Sequence, residues 1–322
     1  MTGSSADVCV VILCWAEQYP KIKLTTDLLS KSLLEVTLKY AYECTSNVNI
    51  CCQDSDVKHI EKYLLELFTT NNLDLCPIHS SKSVLSCLQQ IQWAGNVVFL
   101  NPFVVSDIPL HSILRDYKGL SCDAYIPLVD TKVVEKLEKI GGRPLFSNQE
   151  RFKWLVGLSN KKQLCYAATD DVKLKVHHSI LNVFPKINFT RQYEVVPIMI
   201  CKNWVFHWLM NQNYTDLHDA MIDLIESQYN PHLVSKKGIL KYYKEELILS
   251  IQEALTLSTT RASDSENAKK EENGEPDLSD AICTMKKIKI LPFIVPITQS
   301  HYIFDLQFEE NVFEYVKIVI FD

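Results

Sequence analysis

The feature that most constrains the fold is an unbroken apolar run near the start, Val8-Cys9-Val10-Val11-Ile12-Leu13. A strand with one wet face alternates apolar and polar residues. A continuous β-branched run is the pattern of a strand covered on both faces. Similar short runs recur at Val48–Cys52 and at Val97–Leu100. Between them, Ser32–Ala41 reads as a helix. Val57, Ile60, Leu64 and Leu67 recur at helical spacing, with Asp54 and Ser55 as possible caps. Ser83–Ile91 is a shorter helical candidate. This strand–helix alternation predicts an α/β fold with a mixed, mostly parallel sheet and helices on both faces.

Further along, Gly141-Gly142 and Pro144 mark a loop. Phe152–Leu158 and Gln163–Ala167 read as an antiparallel pair turning at Asn160-Lys161-Lys162. Val195–Cys201 reads as a strand in which Pro197 demands an edge, an end or a bulge. Asn203–Met210 and Leu217–Ser227 read as helices. Ile239–Leu257 reads as a longer one, with Lys244 interrupting the stripe of Leu240, Leu247, Ile251 and Leu255. Thr259–Ser279 is polar and charged, as a linker is. Apolar segments return at Ile288–Ile297, Tyr302–Phe308 and Val312–Phe321. The expected division is 1–257 as the main domain, 258–281 as a flexible acidic and polar linker, and 282–322 as C-terminal strands.

Composition narrows the chemistry. Only 8 of 322 residues are Gly, about 2.5% against a usual 7%. None lies between Gly3 and Gly95, and neither G-x-G-x-x-G nor G-x-x-x-x-G-K-[ST] occurs. The common phosphate-cradling loops are therefore missing where an α/β nucleotide enzyme places them. The net charge of -6 gives no broad positive field for nucleic acid. The 11 cysteines are odd in number, scattered and without C-x-x-C. They read as buried reduced thiols in a reducing compartment, which points to the cytoplasm. No segment resembles a signal peptide or a membrane span.

Several blocks in order carry a resemblance. They are Ser30-Lys31-Ser32-Leu33-Leu34 through Cys52, then Ser106-Asp107-Ile108-Pro109-Leu110-His111, then Gln163-Leu164-Cys165-Tyr166-Ala167. Ser179-Ile180-Leu181, Phe184-Pro185-Lys186-Ile187 and Lys202-Asn203-Trp204-Val205-Phe206 follow. Over about residues 7–250 the chain resembles the nucleotidyltransferase-like domain of the gamma subunit of translation initiation factor 2B. The resemblance implies a Rossmann-like nucleotidyltransferase fold. It also implies a noncatalytic scaffold or regulatory role in the guanine-nucleotide exchange factor for initiation factor 2. The implied partners are an epsilon-like catalytic subunit and the other subunits of that complex. Direct contact with nucleic acid or membrane is not expected. The left-handed β-helix of that family is not recognisable after the linker, so residues 282–322 read as a remnant of the link to it.

The departures from that family bear on activity. Its active relatives carry a Gly-rich loop with Arg and Lys after the first strand. Here Cys14-Trp15-Ala16-Glu17-Gln18-Tyr19-Pro20 follows, with Trp15 and Tyr19 crowding the backbone and Glu17 repelling phosphate. Lys21 and Lys23 remain nearby. With Asp107-Ile108-Pro109-Leu110-His111 in register, Phe103 falls closest to the family's metal-binding Asp, and Phe cannot ligate Mg²⁺. Asp107 reads as a cap or turn residue. Glu194, beside Val195, is the remaining candidate for a second carboxylate. The expectation is a degenerate site: no catalytic, cofactor-binding or metal-ligating residues, no cofactor, and no enzyme activity. The alternatives are a sugar-phosphate nucleotidyltransferase using a nucleoside triphosphate and Mg²⁺, and an interaction protein outside the exchange complex.

Other constellations have bland readings. His177-His178 with Asp170 and Asp171 lacks a third ligand at convincing spacing. Cys165 and His207 lack an orienting third residue. Trp204, Phe206 and Trp208 read as core or interface rather than a base-stacking platform. Lys236, Lys237, Lys241 and Lys244 form a modest basic cluster, either solvated or facing a subunit.

Overall fold

A computed structural model describes residues 8–14, 27–28, 31–71, 76–82, 84–102, 104–130, 154–169, 176–196, 198–212, 214, 217–246, 248, 288–295 and 303–305. In chain order, β1 (Val8–Cys14) is followed by the small ribbon β2 (Asp27–Leu28) and β3 (Lys31–Ser32), then α1 (Leu33–Tyr42), β4 (Val48–Gln53) and α2 (Val57–Asn71). Next come β5 (Ile78–Ser81), α3 (Val84–Leu88), β6 (Asn96–Leu100), β7 (Val104–Ser106), α4 (Leu110–Gly119) and β8 (Ala124–Asp130). β9 (Trp154–Ser159), β10 (Leu164–Thr169), α5 (Ile180–Val183) and β11 (Ile187–Thr190) follow. The rest is β12 (Tyr193–Val195), β13 (Ile198–Cys201), α6 (Asn203–Leu209), α7 (Leu217–Glu226), α8 (Pro231–Lys236), β14 (Ile290–Val295) and β15 (Ile303–Asp305).

The main sheet is mixed and mostly parallel. Its order is β12-β8-β13-β6-β1-β4-β5, with β14 pairing β8 in parallel. β1 pairs in parallel with β4 and β6, and β4 with β5. Only β12 and β13 run against their neighbours in it. Helices cover both faces. Leu34 and Leu38 of α1, Ile60 and Leu64 of α2, and Ile113 and Tyr117 of α4 pack with Val10, Ile12, Ile50 and Val98 on one face. Leu88 of α3, the aromatic run of α6 and Leu224 of α7 pack with Val11, Cys51, Val97 and Phe99 on the other. The unbroken apolar runs thus fill two cores at once. Trp204, Phe206 and Trp208 are all buried, so the aromatic run is core. Each such side chain contributes about 3 kcal/mol or more of transfer free energy.

Local chemistry sets the element ends. Ser32 Oγ accepts the Glu35 N–H at 3.1 Å and caps α1. Glu35 pairs with Lys39 one turn on at 2.6 Å. α2 starts at Val57, where the Asp56 carbonyl accepts from His59 and Ile60. Asp54 and Ser55 therefore stand in the preceding turn and do not cap the helix, because the chain needs three residues to leave β4. The turn between β9 and β10 places Lys162 at φ 59. Gly157 in β9 is required by close approach: a Cβ there would lie 2.7 Å from Tyr166 Cβ.

Two prolines shape β8 and its neighbours. Val195 lies opposite Leu128 and Ile200 opposite Tyr125, so two extra residues bulge out between β12 and β13. Val196 N–H donates to the Pro127 carbonyl at 3.2 Å. Pro127 thus turns its donorless nitrogen toward that bulge, while Pro197 lies outside the described residues. On the other side of β8, the Ile290 N–H points away from the sheet to Gln228 Oε1 at 3.3 Å. Pro292, two residues on, faces the same way, so its missing N–H falls on the outer edge.

Pieces of the expected long helix beyond residue 246, the linker 258–281 and the segment 306–322 lie outside the described residues. So does the Gly141-Gly142 loop. Lys244 is exposed, off the buried side that Ile239 and Leu240 supply.

Candidate functional site

The site follows from strand order. From β1 the chain crosses through α1 to β4 and then β5 on one side. It then crosses through α3 to β6 on the other side of β1. In open α/β sheets, ligands bind beyond the carboxyl ends of the strands at such a reversal. Here that point lies beyond Cys14 of β1 and Leu100 of β6.

On the α1 and α2 face, this end is lined with thiols. Cys14 is fully buried, and its thiol is held well above the ordinary range by burial, then by the neighbouring Cys52, Cys76 and Asp56. Burial chiefly pushes Cys52 up to about 12, with Cys87, Asp56, Asp54 and Glu61 adding. These groups are uncharged thiols at neutral pH. Beside them Asn101 is buried, and Thr37 Oγ lies 2.9 Å from the Leu33 carbonyl and 3.1 Å from that of Pro102. That hydroxyl ties α1 to the segment leaving β6.

On the opposite face, Leu13, Val84, Leu88, Phe99, Leu209 and Leu217 line an apolar cavity of about 30 Å³. That is about one water molecule's share of space, against roughly 300–1,000 Å³ for pockets that hold drug-sized ligands. Its mouth is knotted by polar bonds. Gln212 Nε2 donates to the Lys237 carbonyl at 3.0 Å, and Tyr214 Oη donates to Asp223 at 2.6 Å. Lys237 Nζ pairs with Asp223 at 3.2 Å and sits 4.6 Å from the Tyr214 ring centre. Burial and the Asp223 hydrogen bond push the Tyr214 phenol up.

The residues singled out in the sequence separate into three groups. Trp15, Glu17, Tyr19, Lys21, Lys23, Phe103, Asp170 and Asp171 lie outside the described residues. Asp107 stands in the turn before α4, where Ser106 Oγ accepts the Ile108 N–H at 3.0 Å. Glu194 lies in β12 opposite Val129, at the carboxyl end of β8, with β13 and β6 between it and β1. Cys165 donates to the Gly157 carbonyl at 3.2 Å in a satellite cluster with Ile180, Phe184 and Tyr229. His207, on α6, is held below its ordinary pKa by burial, opposed by Glu245. The two are not brought together. His177 and His178 stack at 4.8 Å, and His177 Nδ1 lies 2.6 Å from Ser179 Oγ. Among the described residues, no group of three or more His, Cys, Asp or Glu is placed to hold a metal ion.

A buried polar node was not read from the sequence. Asp123, before β8, is 3% exposed. Its carboxylate accepts from Lys202 Nζ at 3.0 Å, Trp204 Nε1 at 3.1 Å and the Lys289 N–H at 2.9 Å. Gln228 is fully buried and joins Gln163, the Leu164 carbonyl and the Ile290 N–H. The available signal was a lone Asp directly before an apolar strand.

No family model matches the chain, and no curated protein matches it. Solved structures that overlay on it include a protein of Bacillus anthracis described as a glucose-1-phosphate thymidylyltransferase, in complex with a sucrose. That overlay has a TM-score of 0.43 at 11% identity, over 66% of this chain and 81% of the other. HddC of Yersinia pseudotuberculosis, complexed with GMP-PN, overlays with a TM-score of 0.46 at 7% identity, over 96% and 97% of the two chains. These likenesses concern backbone arrangement alone and say nothing of chemistry. The fold itself is a mixed, mostly parallel α/β sheet with helices on both faces, as the strand pairing sets out.

Proposed function

We propose that this chain is a noncatalytic scaffold or regulatory subunit of the guanine-nucleotide exchange factor for translation initiation factor 2. In that reading it works in the cytoplasm beside an epsilon-like catalytic subunit and the other subunits of the complex. The observation that carries the reading is the chemistry at the strand reversal. Cys14 and Cys52 meet there, paired across β1 and β4, as buried, uncharged thiols. Phosphoryl chemistry with Mg²⁺ needs hard oxygen ligands held in place. The ordered sequence blocks supply the family to which the reading refers.

A second reading is a sugar-phosphate nucleotidyltransferase. It is favoured by the nucleotidyltransferase-like sheet itself and by the activity that the Bacillus anthracis protein's description names. One pair of assays separates the two. The first reading expects co-purification with an epsilon-like subunit and faster GDP release from initiation factor 2 when this chain is added. The second expects Mg²⁺-dependent pyrophosphate release from a nucleoside triphosphate and a sugar phosphate by this chain alone. Pyrophosphate release without any effect on exchange would overturn the first reading.

A further inference from the structure

We propose that the edge of β8 is a strand-binding groove, filled by the chain's own β14, and that it also takes β14 from a second copy of this chain. The inference is independent of the proposed function. Three observations carry it.

The groove is built to recognise a strand. β14 lies parallel to β8 over six residues, Ile290 opposite Ala124 through Val295 opposite Val129. At its entry, two buried side chains read backbone rather than side-chain groups. Asp123 Oδ2 accepts the Lys289 N–H at 2.9 Å, and the Asp123 N–H donates to the Lys289 carbonyl at 2.7 Å. Gln228 Oε1 accepts the Ile290 N–H at 3.3 Å. Main-chain bonds supply the affinity in strand addition, and alternating pockets supply the fit. Ile290 and Val295 fill such pockets, at 0% and 1% exposure.

β14 has one edge rich in donors, facing β8, and an outer edge where Ile294 alone keeps a free-standing position for its N–H. Ile290 spends its outward N–H on Gln228, and Pro292 has none to offer. The donor-rich edge therefore suits a β8 edge, whichever copy supplies it.

Sequence separation sets no geometric limit. Residues 249–287 lie between the helical position 248 and the segment that enters the strand. Thirty-nine residues could span up to roughly 130 Å if extended, several times the width of a small domain. Such a tether gives the chain's own strand an effective concentration on the order of a millimolar or less. The covalent strand therefore wins in dilute solution, and exchange appears once the tether is cut.

The test places a site-specific protease sequence within residues 259–279 of the full chain, which carries an N-terminal affinity tag. After cleavage on the resin, the C-terminal piece is expected to stay bound. Mixing light and isotope-labelled cleaved chains should give hybrids of light body and heavy piece by native mass spectrometry. Ile290→Asp, which leaves the body untouched, should lower retention at least tenfold. The piece also carries β15, which pairs β7. Replacing Ile303→Gly, Phe304→Ser and Asp305→Gly together should leave most of the piece retained. Immediate elution of the wild-type piece, retention of the Ile290→Asp piece at the wild-type level, loss of the piece on the β15 replacement, or a lack of hybrids would each overturn the proposal.

Discussion

The two ends of the main sheet treat charge in opposite ways. At the amino end of β8, the carboxylate of Asp123 is buried and satisfied by an ammonium, an indole and a backbone amide. At the carboxyl ends of β1 and β4, the buried groups are neutral: thiols held protonated, the Thr37 hydroxyl and Asn101. Desolvating a charge is tolerated where donors surround it and costs several kcal/mol where they do not. This molecule makes that provision at the end that joins β8, β13 and β14. The described end where α/β proteins bind ligands is packed as core. The difference teaches that burial of charge here serves assembly of the sheet.

The largest expected effect comes from breaking the charged end. Asp123→Ala strands the Trp204 and Lys289 donors and leaves Lys202 without its partner. A loss of about 3 kcal/mol or more is expected in urea unfolding. A loss below about 1 kcal/mol would erase the contrast between the two ends.

Next is the response to pH. Cys9 and Cys122 are raised to about 11, and Cys44, Cys52 and Cys165 to about 12, mainly by burial. An unfolded thiol titrates near 9. Below that value both states are protonated and the contribution is fully present. As pH rises from 9 toward 12, the unfolded chain sheds protons that the native state retains, so stability falls. Cys87, lowered by its hydrogen bond to Cys51, works weakly against this trend. Urea midpoints should be level from pH 7 to 8.5 and drop steadily above 9. A rise in that upper window would contradict the assignment of neutral, buried thiols.

Cys14→Ser sharpens the other end. A hydroxyl demands a hydrogen-bond partner more strongly than a thiol does, so a cost of about 1–2 kcal/mol is expected. In the exchange-subunit reading, stimulation of the epsilon-like partner should be retained at temperatures where the variant is folded. The smallest effect is expected for Lys202→Met. Its side chain is 38% exposed, and two neutral donors remain on Asp123. About 1 kcal/mol or less should be lost, and a loss matching that of Asp123→Ala would show that the ammonium alone holds the node.

Legibility followed the physics of burial. Val8–Leu13 and Val97–Leu100 were readable because strands covered on both faces leave no polar gaps. The pair Trp154–Ser159 and Leu164–Thr169 was readable because its turn residues stand in sequence between them. β8 was not read, since Pro127 inside Ala124–Asp130 argues against a central strand. The bulge at Val196, distant in sequence, is what makes Pro127 harmless. α4 was missed although Leu110, Ile113, Leu114 and Tyr117 follow helical spacing. Pro109 and the half-polar first turn hid its start. At the candidate site, local sequence located the strand ends but not their contents. Cys14 and Cys52 are far apart in the chain, and only the β1–β4 pairing brings them together.

Pro292 has a consequence for the behaviour of the protein in concentrated solution. A sheet that ended on a strand with every amide free would offer a template on which another sheet could grow. Here the last strand carries an imino acid at the middle of that border, and the neighbouring amide is already occupied by Gln228. The sheet thus offers few donors for lateral fibre growth at the same strand that completes it. Pro292→Thr would restore the missing donor, and seeded thioflavin fluorescence should then rise while the native fold is unchanged.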